Sequence, residues 1–460
     1  MTPADTAPAV AARELVAIVG ARHVLTRPDD RAAYEVDWTG RFRGTTAAVV
    51  RPADAAEVTA VVDVCRRHGL ALVPQGGNTG LVGGSVPLAG EVVLSLRRLD
   101  AVGPVDGVAR QGTAGAGASI GAVQQAAAAT GLRYAVDFGA RDSATVGGTI
   151  GTNAGGLNVI RYGGTREQVV GVGAVLGNGA CIEHLQGLVK DNTGYHIPSL
   201  LCGSEGTLGI VTAARLQLVT RHDDRVVALI GFTDVADAVA AVAMWRSALD
   251  SLESAELFLD SGLRLVCDAF GLPPPFPRAW PAYVLVEVAA VHDPTEDLAA
   301  AVGSVTNIGD VAVAADAARR HTLWRYREDH TLAINTLGPP HKLDVTVPLD
   351  VLAAFVLEVP ELVAGVAPDA RTWLFGHVGD GNLHVNVTGV APDDERVDDA
   401  VLTHVASLGG SISAEHGIGT AKRRWLHLNR SDAELASMRA IKRALDPDNV
   451  LNPNVLLPPP

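Results

Sequence analysis

Residues 74–87 read PQGGNTGLVGGSVP, and this glycine-rich stretch decides what fold the first half of the chain can form. It follows LALVP, an apolar run that predicts a short buried strand. Glycine permits positive φ angles and a close approach of the backbone to a ligand, so successive N–H groups in such a loop can surround a pyrophosphate. The stretch predicts either an anion-binding loop or glycine turns in a β-rich domain.

Three more glycine-rich segments occur before residue 215: TAGAGASIGAV, SATVGGTIGTNAGG and CGSEGTLGIVT. Four such segments in one half of the chain favour a bound ligand over four unrelated turns. A G-x-x-x-x-G-K-[ST] motif is missing, which disfavours an ATP P-loop. The segment GAGASIG has the wrong spacing for G-x-G-x-x-G, which disfavours NAD on a Rossmann fold.

Composition limits the class of protein. A chain of 460 residues predicts two or three domains. Its formal charge of -14 argues against nucleic-acid binding, so an anionic substrate must meet a local cluster of Arg and Lys. The cysteines show no C-x-x-C spacing, which predicts reduced thiols in a cytoplasmic protein. The N-terminus lacks a basic region before an apolar run, so neither export nor a membrane anchor is expected.

Periodicity divides the chain further. Helical spacing of apolar residues predicts helices near residues 8–20 and 57–68, and the second ends at Gly69. Beyond residue 220 strands alternate with helices, which predicts a second α/β or α+β domain. A last helix over 432–445 precedes the tail DPDNVLNPN, which either caps a domain or closes over a ligand. We expect one domain at 1–220, a second at 221–430 and a C-terminal segment over 431–460.

The stretch GHVGDGNLHVN, residues 376–386, places two histidines around a turn. Period two puts Leu383 and Val385 on an apolar strand face, and His384 and Asn386 on the other. The turn formers between His377 and His384 predict a hairpin that brings both imidazoles together. On this stretch alone, two solvated histidines and a metal site both remain open.

These segments together resemble a known family. In order, PQGGNTGLVGGSVP, SATVGGTIGTNAGGLNVIRYG, KDNTGYHIPSLLCGSEGTLGIVT, GHVGDGNLHVNV, AEHGIGTAKR and LDPDNVLNPN resemble FAD-dependent dehydrogenases of the vanillyl-alcohol oxidase and p-cresol methylhydroxylase superfamily. The resemblance covers nearly the whole chain. The asparagine of PQGGNTG and the KDNTGY segment look more like the D-2-hydroxyglutarate dehydrogenase branch than like D-lactate or glycolate dehydrogenases.

The resemblance implies an α+β fold, with an FAD-binding domain of the p-cresol methylhydroxylase type made of two α+β subdomains within about residues 40–220, and a C-terminal α+β substrate or cap domain. It also implies that the helix and tail over 431–460 return to the FAD-binding domain. It implies FAD, non-covalently bound because no histidine lies in the PQGGNTG loop. The implied cofactor-binding residues are Pro74, Gln75, Gly76, Gly77, Asn78, Thr79, Gly80, Ser85, Ser143, Gly147, Gly148, Thr152, Asn153, Gly156, Gly206, Ile210 and Asn452.

AEHGIG adds a carboxylate to the two histidines. We expect Ser411, Ser413 and Glu415 on one strand face, so that His377, His384 and Glu415 form a two-histidine, one-carboxylate set suited to Zn²⁺ or a similar ion. The alternative is a carboxylate that only hydrogen-bonds a histidine. Proton transfer from an alcohol with pKa ~16 to an imidazole with pKa near ~6.5 costs ~12 kcal/mol. Coordination of the hydroxyl to a metal lowers this cost.

The resemblance implies that His416 is the catalytic base; the alternative is a structural histidine. It also implies that a substrate carboxylate binds to Arg327 and Thr331 of WRYREDHTLAI and to Lys342 of HKLDVTVPL. We expect Asn386, on the His384 face, to hold the substrate beside the metal. For Arg327 a solvated helical charge face remains an alternative, and for Asn386 a polar strand residue.

The predicted function is metal- and FAD-dependent oxidation of a D-2-hydroxy acid, preferably D-2-hydroxyglutarate, to the 2-oxo acid. The electrons pass to an acceptor that the sequence does not identify. Alternatives are a D-lactate or glycolate dehydrogenase, and a non-catalytic flavin-binding electron-transfer subunit. A homodimer is expected from the class alone.

Overall fold

A computed structural model describes residues 7–459. The chain divides into two compact units, here called the first and second domains. The first contains the residues up to Gly156, Gly163–Arg221 and the chain from Glu415 onward, and the second contains Leu157–Tyr162 and His222–Ala414. Compared with the expected boundaries, residues 415–430 belong to the first domain and a six-residue excursion belongs to the second. Within 7–459, every helix falls short of the length and apolarity needed to span a bilayer.

The strands are short in the first domain and longer in the second. They are β1 (Val24–Leu25), β2 (Val49–Val50), β3 (Leu72–Gln75), β4 (Val92–Ser95), β5 (Val102–Asp106), β6 (Gln111–Gly115), β7 (Leu132–Arg133), β8 (Val169–Leu176), β9 (Cys181–His184), β10 (Gly209–Gln217), β11 (Val219–Thr220), β12 (Asp224–Phe232), β13 (Leu252–Leu259), β14 (Ala282–Ala290), β15 (Ile308–Ala314), β16 (His341–Thr346), β17 (Arg371–His377) and β18 (Asn382–Thr388).

The α-helices are α1 (Ala7–Val19), α2 (Pro28–Arg31), α3 (Ala55–His68), α4 (Ile120–Ala128), α5 (Val146–Thr152), α6 (Val159–Tyr162), α7 (Thr165–Gln168), α8 (Ile197–Leu201), α9 (Val235–Ala248), α10 (Asp260–Phe270), α11 (Thr295–Gly303), α12 (Ala317–Glu328), α13 (His330–Asn335), α14 (Leu349–Val366), α15 (Arg396–Ser407) and α16 (Asp432–Leu445). The predicted helices near the N-terminus, over 57–68 and over 432–445 are confirmed.

Local chemistry explains where α3 begins and ends. The Asp54 side chain accepts a hydrogen bond from Glu57 N, and Gly69 ends the helix with a φ of 62°. A side chain at this φ would be strained, whereas glycine adopts it readily. The chain then enters β3, the strand that leads into the glycine-rich loop.

The first domain contains two main sheets. One has the order β1-β2-β4-β3, with parallel pairing between β2, β4 and β3. The other is antiparallel, with the order β5-β6-β10-β8-β9. Apolar residues from both sheets, among them Leu94 and Leu216, belong to one buried core. Two sheets with helices packed against them match the two α+β subdomains expected from the sequence.

The second domain is built on one antiparallel sheet of seven strands, ordered β15-β12-β14-β13-β17-β18-β16. Helices α10, α12 and α13 pack over one face, where Phe258, Tyr283 and Phe375 belong to a buried cluster. On the opposite face Trp245 of α9 lies 6.3 Å from Phe232 between ring centroids, and α14 packs against α9 and α15. Antiparallel pairing throughout makes this domain α+β.

The C-terminal tail caps the first domain. Leu451 forms a parallel bridge with Leu72 of β3. Before it, Lys442 of α16 is buried and donates to Thr207 O at 2.8 Å, to Leu451 O at 2.6 Å and to the carboxylate of Asp446. These bonds fix the turn from α16 into the tail, which is the capping arrangement anticipated as one of two alternatives.

Candidate active site

A cavity of about 290 Å³ lies in the first domain, where the loop after β3 meets α5 and the loop before β10. Among its lining residues are most of those predicted to bind the cofactor. These are Pro74, Gly76, Gly77, Asn78, Thr79, Gly80, Ser85, Gly147, Gly148, Thr152, Gly156, Gly206 and Ile210. Apolar side chains such as Leu96 and Phe138 complete the wall, as expected of a pocket that receives a flat ring system.

The glycines of the PQGGNTG loop serve two different purposes. A Cβ on Gly77 would lie 2.0 Å from Ser143 O, and one on Gly76 would lie 2.1 Å from Thr145 Oγ1. These two glycines allow the loop to pack directly against the start of α5. A Cβ on Gly80 would meet no atom within 4 Å, although Gly80 lines the cavity. Only Gly80 therefore leaves open space where a ligand can approach the backbone.

Asn78 and Ser85 hold the loop in shape. The Asn78 side chain donates to Val36 O at 2.8 Å and accepts from Ser85 Oγ at 2.9 Å. Asn78 also has a φ of 58°, which asparagine tolerates better than most residues. The asparagine that carried part of the family resemblance thus stabilises the loop conformation.

Four predicted cofactor residues do not line the cavity. Gln75 is 1% exposed and donates to Tyr34 O and Ser85 O. Asn153 ends α5 with a φ of 53°, and Asn452 donates to Gly84 O and Glu205 O, both at 2.8 Å. Ser143 contributes its backbone to the packing against Gly77. These residues support the walls of the cavity from behind.

Glu205 lines the cavity and was missed by the sequence analysis. Its carboxylate accepts hydrogen bonds from Ile418 N and Gly419 N, both at 2.7 Å. Burial raises the pKa of Glu205 to about 7, although these two N–H groups lower it. Glu205 also has a φ of 51°, a costly angle for a residue with a Cβ. Glu205 is the half-buried acid of the GSEG segment, which the sequence analysis had considered only for its glycines.

Glu415 and His416 lie in the same domain and line the same cavity. Glu415 Oε1 accepts from Gly156 N at 2.5 Å. The expected strand through Ser411, Ser413 and Glu415 is wrong, because Ser411 forms only an isolated bridge with Thr346 and the residues after it are irregular. Gly417, with a φ of 82°, allows the chain to turn after His416.

In the second domain, the predicted hairpin is confirmed. Strands β17 and β18 pair antiparallel, with His377 opposite Asn382 and Phe375 opposite His384. The two imidazole rings stand edge to face with their centroids 5.4 Å apart. His377 is 6% exposed and the side chain of His384 is 13% exposed, so the alternative of two solvated histidines is excluded. A pair of imidazoles at this separation can share one metal ion.

Lys342 and Asn386 lie next to the histidine pair on the same sheet face. They are directly opposite each other on β16 and β18, two residues along each strand from the Asp344–His384 pair. Asn386 is 3% exposed, and its Nδ2 has no hydrogen-bond partner within residues 7–459. Burial lowers the pKa of Lys342 to about 8. The face thus carries an amide donor and a cation at positions suited to an anionic ligand.

Arg327 does not belong to a solvated charge face. It is 6% exposed, its Nη2 lies 2.7 Å from Glu256 Oε2, and its guanidinium stacks over the Phe375 ring at 4.6 Å. Its Nε is without a hydrogen-bond partner in the described part of the chain. Arg325, by contrast, pairs with Asp329 on the helix surface at 3.1 Å. Thr331 is half-buried on α13.

Two further carboxylates of this face were not predicted. Glu256 Oε1 lies 2.7 Å from His377 Nδ1, and Asp344 Oδ1 lies 3.3 Å from His384 Nδ1. Burial raises the pKa of Glu256, but His377 and Arg327 outweigh burial and hold it below its usual value. The available signal was a polar residue at every second position of the otherwise apolar strands SAELFL, which contains Glu256, and HKLDVTV, which contains Asp344.

Comparison with known proteins identifies the family. Residues 221–456 match the family described as FAD linked oxidases, C-terminal domain, and residues 46–184 match the FAD binding domain. The chain belongs to the FAD-linked oxidase family. The glycine-lined cavity fits FAD, because it offers open space beside Gly80 and an apolar wall for a ring system.

Relatives extend over nearly the whole chain. The D-2-hydroxyglutarate dehydrogenase of Xanthomonas citri pv. viticola is 40% identical over 95% of this chain and 95% of that protein. The mitochondrial D-2-hydroxyglutarate dehydrogenase of Bos taurus is 36% identical over 95% of this chain and 81% of that protein. The structure of p-cresol methylhydroxylase with substrate bound superposes with a TM-score of 0.76 at 16% identity, covering 97% of this chain and 96% of that chain. The predicted family and fold class are confirmed.

Proposed function

We propose that this chain is an FAD-dependent dehydrogenase that oxidises D-2-hydroxyglutarate to 2-oxoglutarate. The similarity to proteins of that name over 95% of the chain supports the substrate. The observation that carries the proposal is the polar face of the second domain, where Lys342 and Asn386 adjoin the His377–His384 pair. A cation and an amide donor next to two imidazoles suit a hydroxy acid with a second carboxylate.

The proposal includes a divalent metal, Zn²⁺ or a similar ion, bound by His377 and His384. The donor set fits such an ion because carboxylates face the Nδ1 atoms of both rings, which leaves Nε2 as the ligand atom on each. When bound, the ion supplies Lewis acidity toward the substrate hydroxyl. Glu415 as a third ligand stays a prediction of the sequence. Metal analysis of the Glu415→Gln variant tests it.

The chain's own residues bind the substrate and move its proton. FAD, when bound, supplies the acceptor for the hydride that leaves C2. His416, at the wall of the cavity, is the proposed base that takes the hydroxyl proton. Lys342 is proposed to bind the distal carboxylate and Asn386 to orient the substrate. Arg327 and Thr331 are proposed to contact the substrate as well, Arg327 through its Nε.

The test is anaerobic mixing of the purified holoprotein with substrate, followed at the flavin absorbance near 450 nm. D-2-hydroxyglutarate should bleach the flavin. D-lactate and glycolate should reduce it much more slowly at the same concentration, because each lacks the second carboxylate. The Lys342→Met variant should lose most of the preference for the dicarboxylate. Equal reaction with the monocarboxylates in the wild-type protein would overturn the assignment of substrate.

Metal removal gives a separate test. Dialysis against a chelator should abolish substrate bleaching while the FAD spectrum is retained, because neither His377 nor His384 lines the glycine-lined cavity. Adding Zn²⁺, Co²⁺ or Mn²⁺ back should restore bleaching. A chelated, metal-free protein that is reduced at the original rate would refute the metal.

The free cysteines bear on the cellular compartment. A reducing compartment, which we propose to be the cytoplasm, is supported by the free thiols of Cys65, Cys181, Cys202 and Cys267.

We propose non-covalent FAD, which acid precipitation should release into the supernatant. We also propose a homodimer, to be checked by light scattering, and a separate electron acceptor, to be sought with a dye and quinone screen.

A further inference from the structure

Each histidine of the proposed metal pair has its own carboxylate on the neighbouring strand. Glu256 on β13 is directly opposite His377 on β17, and Asp344 on β16 is directly opposite His384 on β18. Because directly opposed residues share one face of an antiparallel sheet, the register itself delivers each carboxylate to its histidine. The two strands that flank the β17–β18 hairpin, β13 and β16, thus supply the carboxylates, and the hairpin supplies the imidazoles.

Glu256 is held more tightly than an ion pair at the surface would be. It is 1% exposed, and its two oxygens have different partners: Oε1 faces His377 Nδ1 at 2.7 Å, and Oε2 faces Arg327 Nη2 at 2.7 Å. Burying a carboxylate is costly unless charge and hydrogen bonds compensate. Arg327 supplies the charge, and its guanidinium is fixed over the Phe375 ring. The carboxylate therefore has one orientation relative to the imidazole.

We propose that Glu256 is the positioning residue for His377, and Asp344 the weaker counterpart for His384, in binding a divalent metal through the Nε2 atoms. The inference rests on the metal of the proposed function and adds to it which residues set the affinity. A carboxylate on Nδ1 selects the tautomer with the proton at Nδ1, so that the Nε2 lone pair points away from the strand pair.

The distances rank the two carboxylates. Glu256 lies 2.7 Å from its histidine, whereas Asp344 lies 3.3 Å from His384 and also accepts from Asn382 Nδ2 at 2.8 Å. Removing an outer carboxylate of this kind weakens metal binding by about 10- to 100-fold. We expect Glu256→Gln at the upper end of that range and Asp344→Asn at the lower end.

A buried histidine–carboxylate pair elsewhere in the second domain provides the matched control. His341 Nδ1 lies 2.5 Å from Asp398 Oδ2, and its Nε2 faces Ala391 O at 2.9 Å. Since both ring nitrogens face acceptors, this imidazole has no ligand atom for a metal. The Asp398→Asn variant therefore disturbs a similar pair, with a similar effect on stability, and should leave metal affinity within about twofold of wild type.

The experiment titrates chelator-treated holoflavoprotein with Zn²⁺ in the presence of a chromophoric competitor, and repeats it with Co²⁺ to record the ligand-field spectrum. Thermal unfolding and FAD content establish that each variant is folded. Should Glu256→Gln fail to fold, Glu256→Asp takes its place, since it keeps the charge but shortens the side chain, and it should weaken Zn²⁺ binding by a smaller factor.

The expected result is a Zn²⁺ affinity that falls in the order wild type, Asp344→Asn, Glu256→Gln, with Asp398→Asn unchanged. If the wild-type protein binds Zn²⁺ and Glu256→Gln binds it equally well, the positioning role is wrong while the metal remains. If the wild-type protein binds neither Zn²⁺ nor Co²⁺, the metal of the proposed function fails and the inference fails with it.

Discussion

Raising the pH through 8 should remove the preference for a substrate with two carboxylates. Burial lowers the pKa of Lys342 from 10.5 to about 8, so this side chain is cationic below pH 8 and neutral above it. With that pKa, the protonated fraction falls from about nine-tenths at pH 7 to about one-tenth at pH 9. If only the cation binds the distal carboxylate, kcat/KM for D-2-hydroxyglutarate should fall roughly tenfold between those pH values.

The assay measures kcat/KM for D-2-hydroxyglutarate and for D-lactate across this pH range and follows their ratio. Both substrates share the base and the hydride acceptor, so the titration of common groups cancels in the ratio. Lys342→Arg should keep a high ratio at every pH, because guanidinium stays protonated. Lys342→Met should show a low ratio throughout. A wild-type ratio that stays constant between pH 7 and pH 9 would refute the role given to Lys342.

Three more changes test the first domain. Gly77→Ala should lower FAD occupancy and cost about 1–3 kcal/mol of stability, because its Cβ would lie 2.0 Å from Ser143 O; flavin content and thermal unfolding measure this. Lys442→Met should cost about 3–5 kcal/mol in denaturant unfolding, because it leaves the buried carboxylate of Asp446 without its cation. The pKa of Glu205 is raised from 4.5 to about 7, so Glu205 stabilises the fold fully below pH 4.5 and this contribution is lost as pH rises through 7. Glu205→Gln should flatten that part of the stability profile.

Two of these changes have a control variant. Gly69→Ala strains a φ of 62° but meets no atom within 4 Å, so it should lower stability without lowering FAD occupancy. Arg443→Met is the exposed neighbour of the buried lysine and should change stability by less than about 0.5 kcal/mol. Equal losses in Arg443→Met and Lys442→Met would show that the buried ion pair does not hold the tail.

Local patterns in the sequence were sufficient for much of the fold. Turn residues between His377 and His384 predicted the hairpin, and the last helix has the predicted bounds, Asp432 to Leu445. These features depend on neighbours within a few residues. The prediction of a strand over Ser411–Glu415 was wrong, because polar residues also alternate in irregular segments. Within this segment only Ser411 forms a bridge, to Thr346.

The supporting carboxylates could not be located from local patterns. Glu256 and His377 are separated by 121 residues, and their contact depends on β13 pairing with β17 in one register. A shift of that register by one residue would turn every side chain to the other face. The environment of Arg327 could not be decided from the sequence for a similar reason. A charged residue in a helix is exposed or buried according to what packs over it.

The capping tail has a consequence for the order of events in biosynthesis. Asn452 donates to the backbone of the loops at Gly84 and Glu205, so the wall of the FAD cavity is supported by a residue that is translated after every glycine-rich loop. The support behind these loops is therefore complete only after translation has passed Asn452. A truncated product ending before Asp446 would contain every glycine-rich loop and still lack the latch behind them.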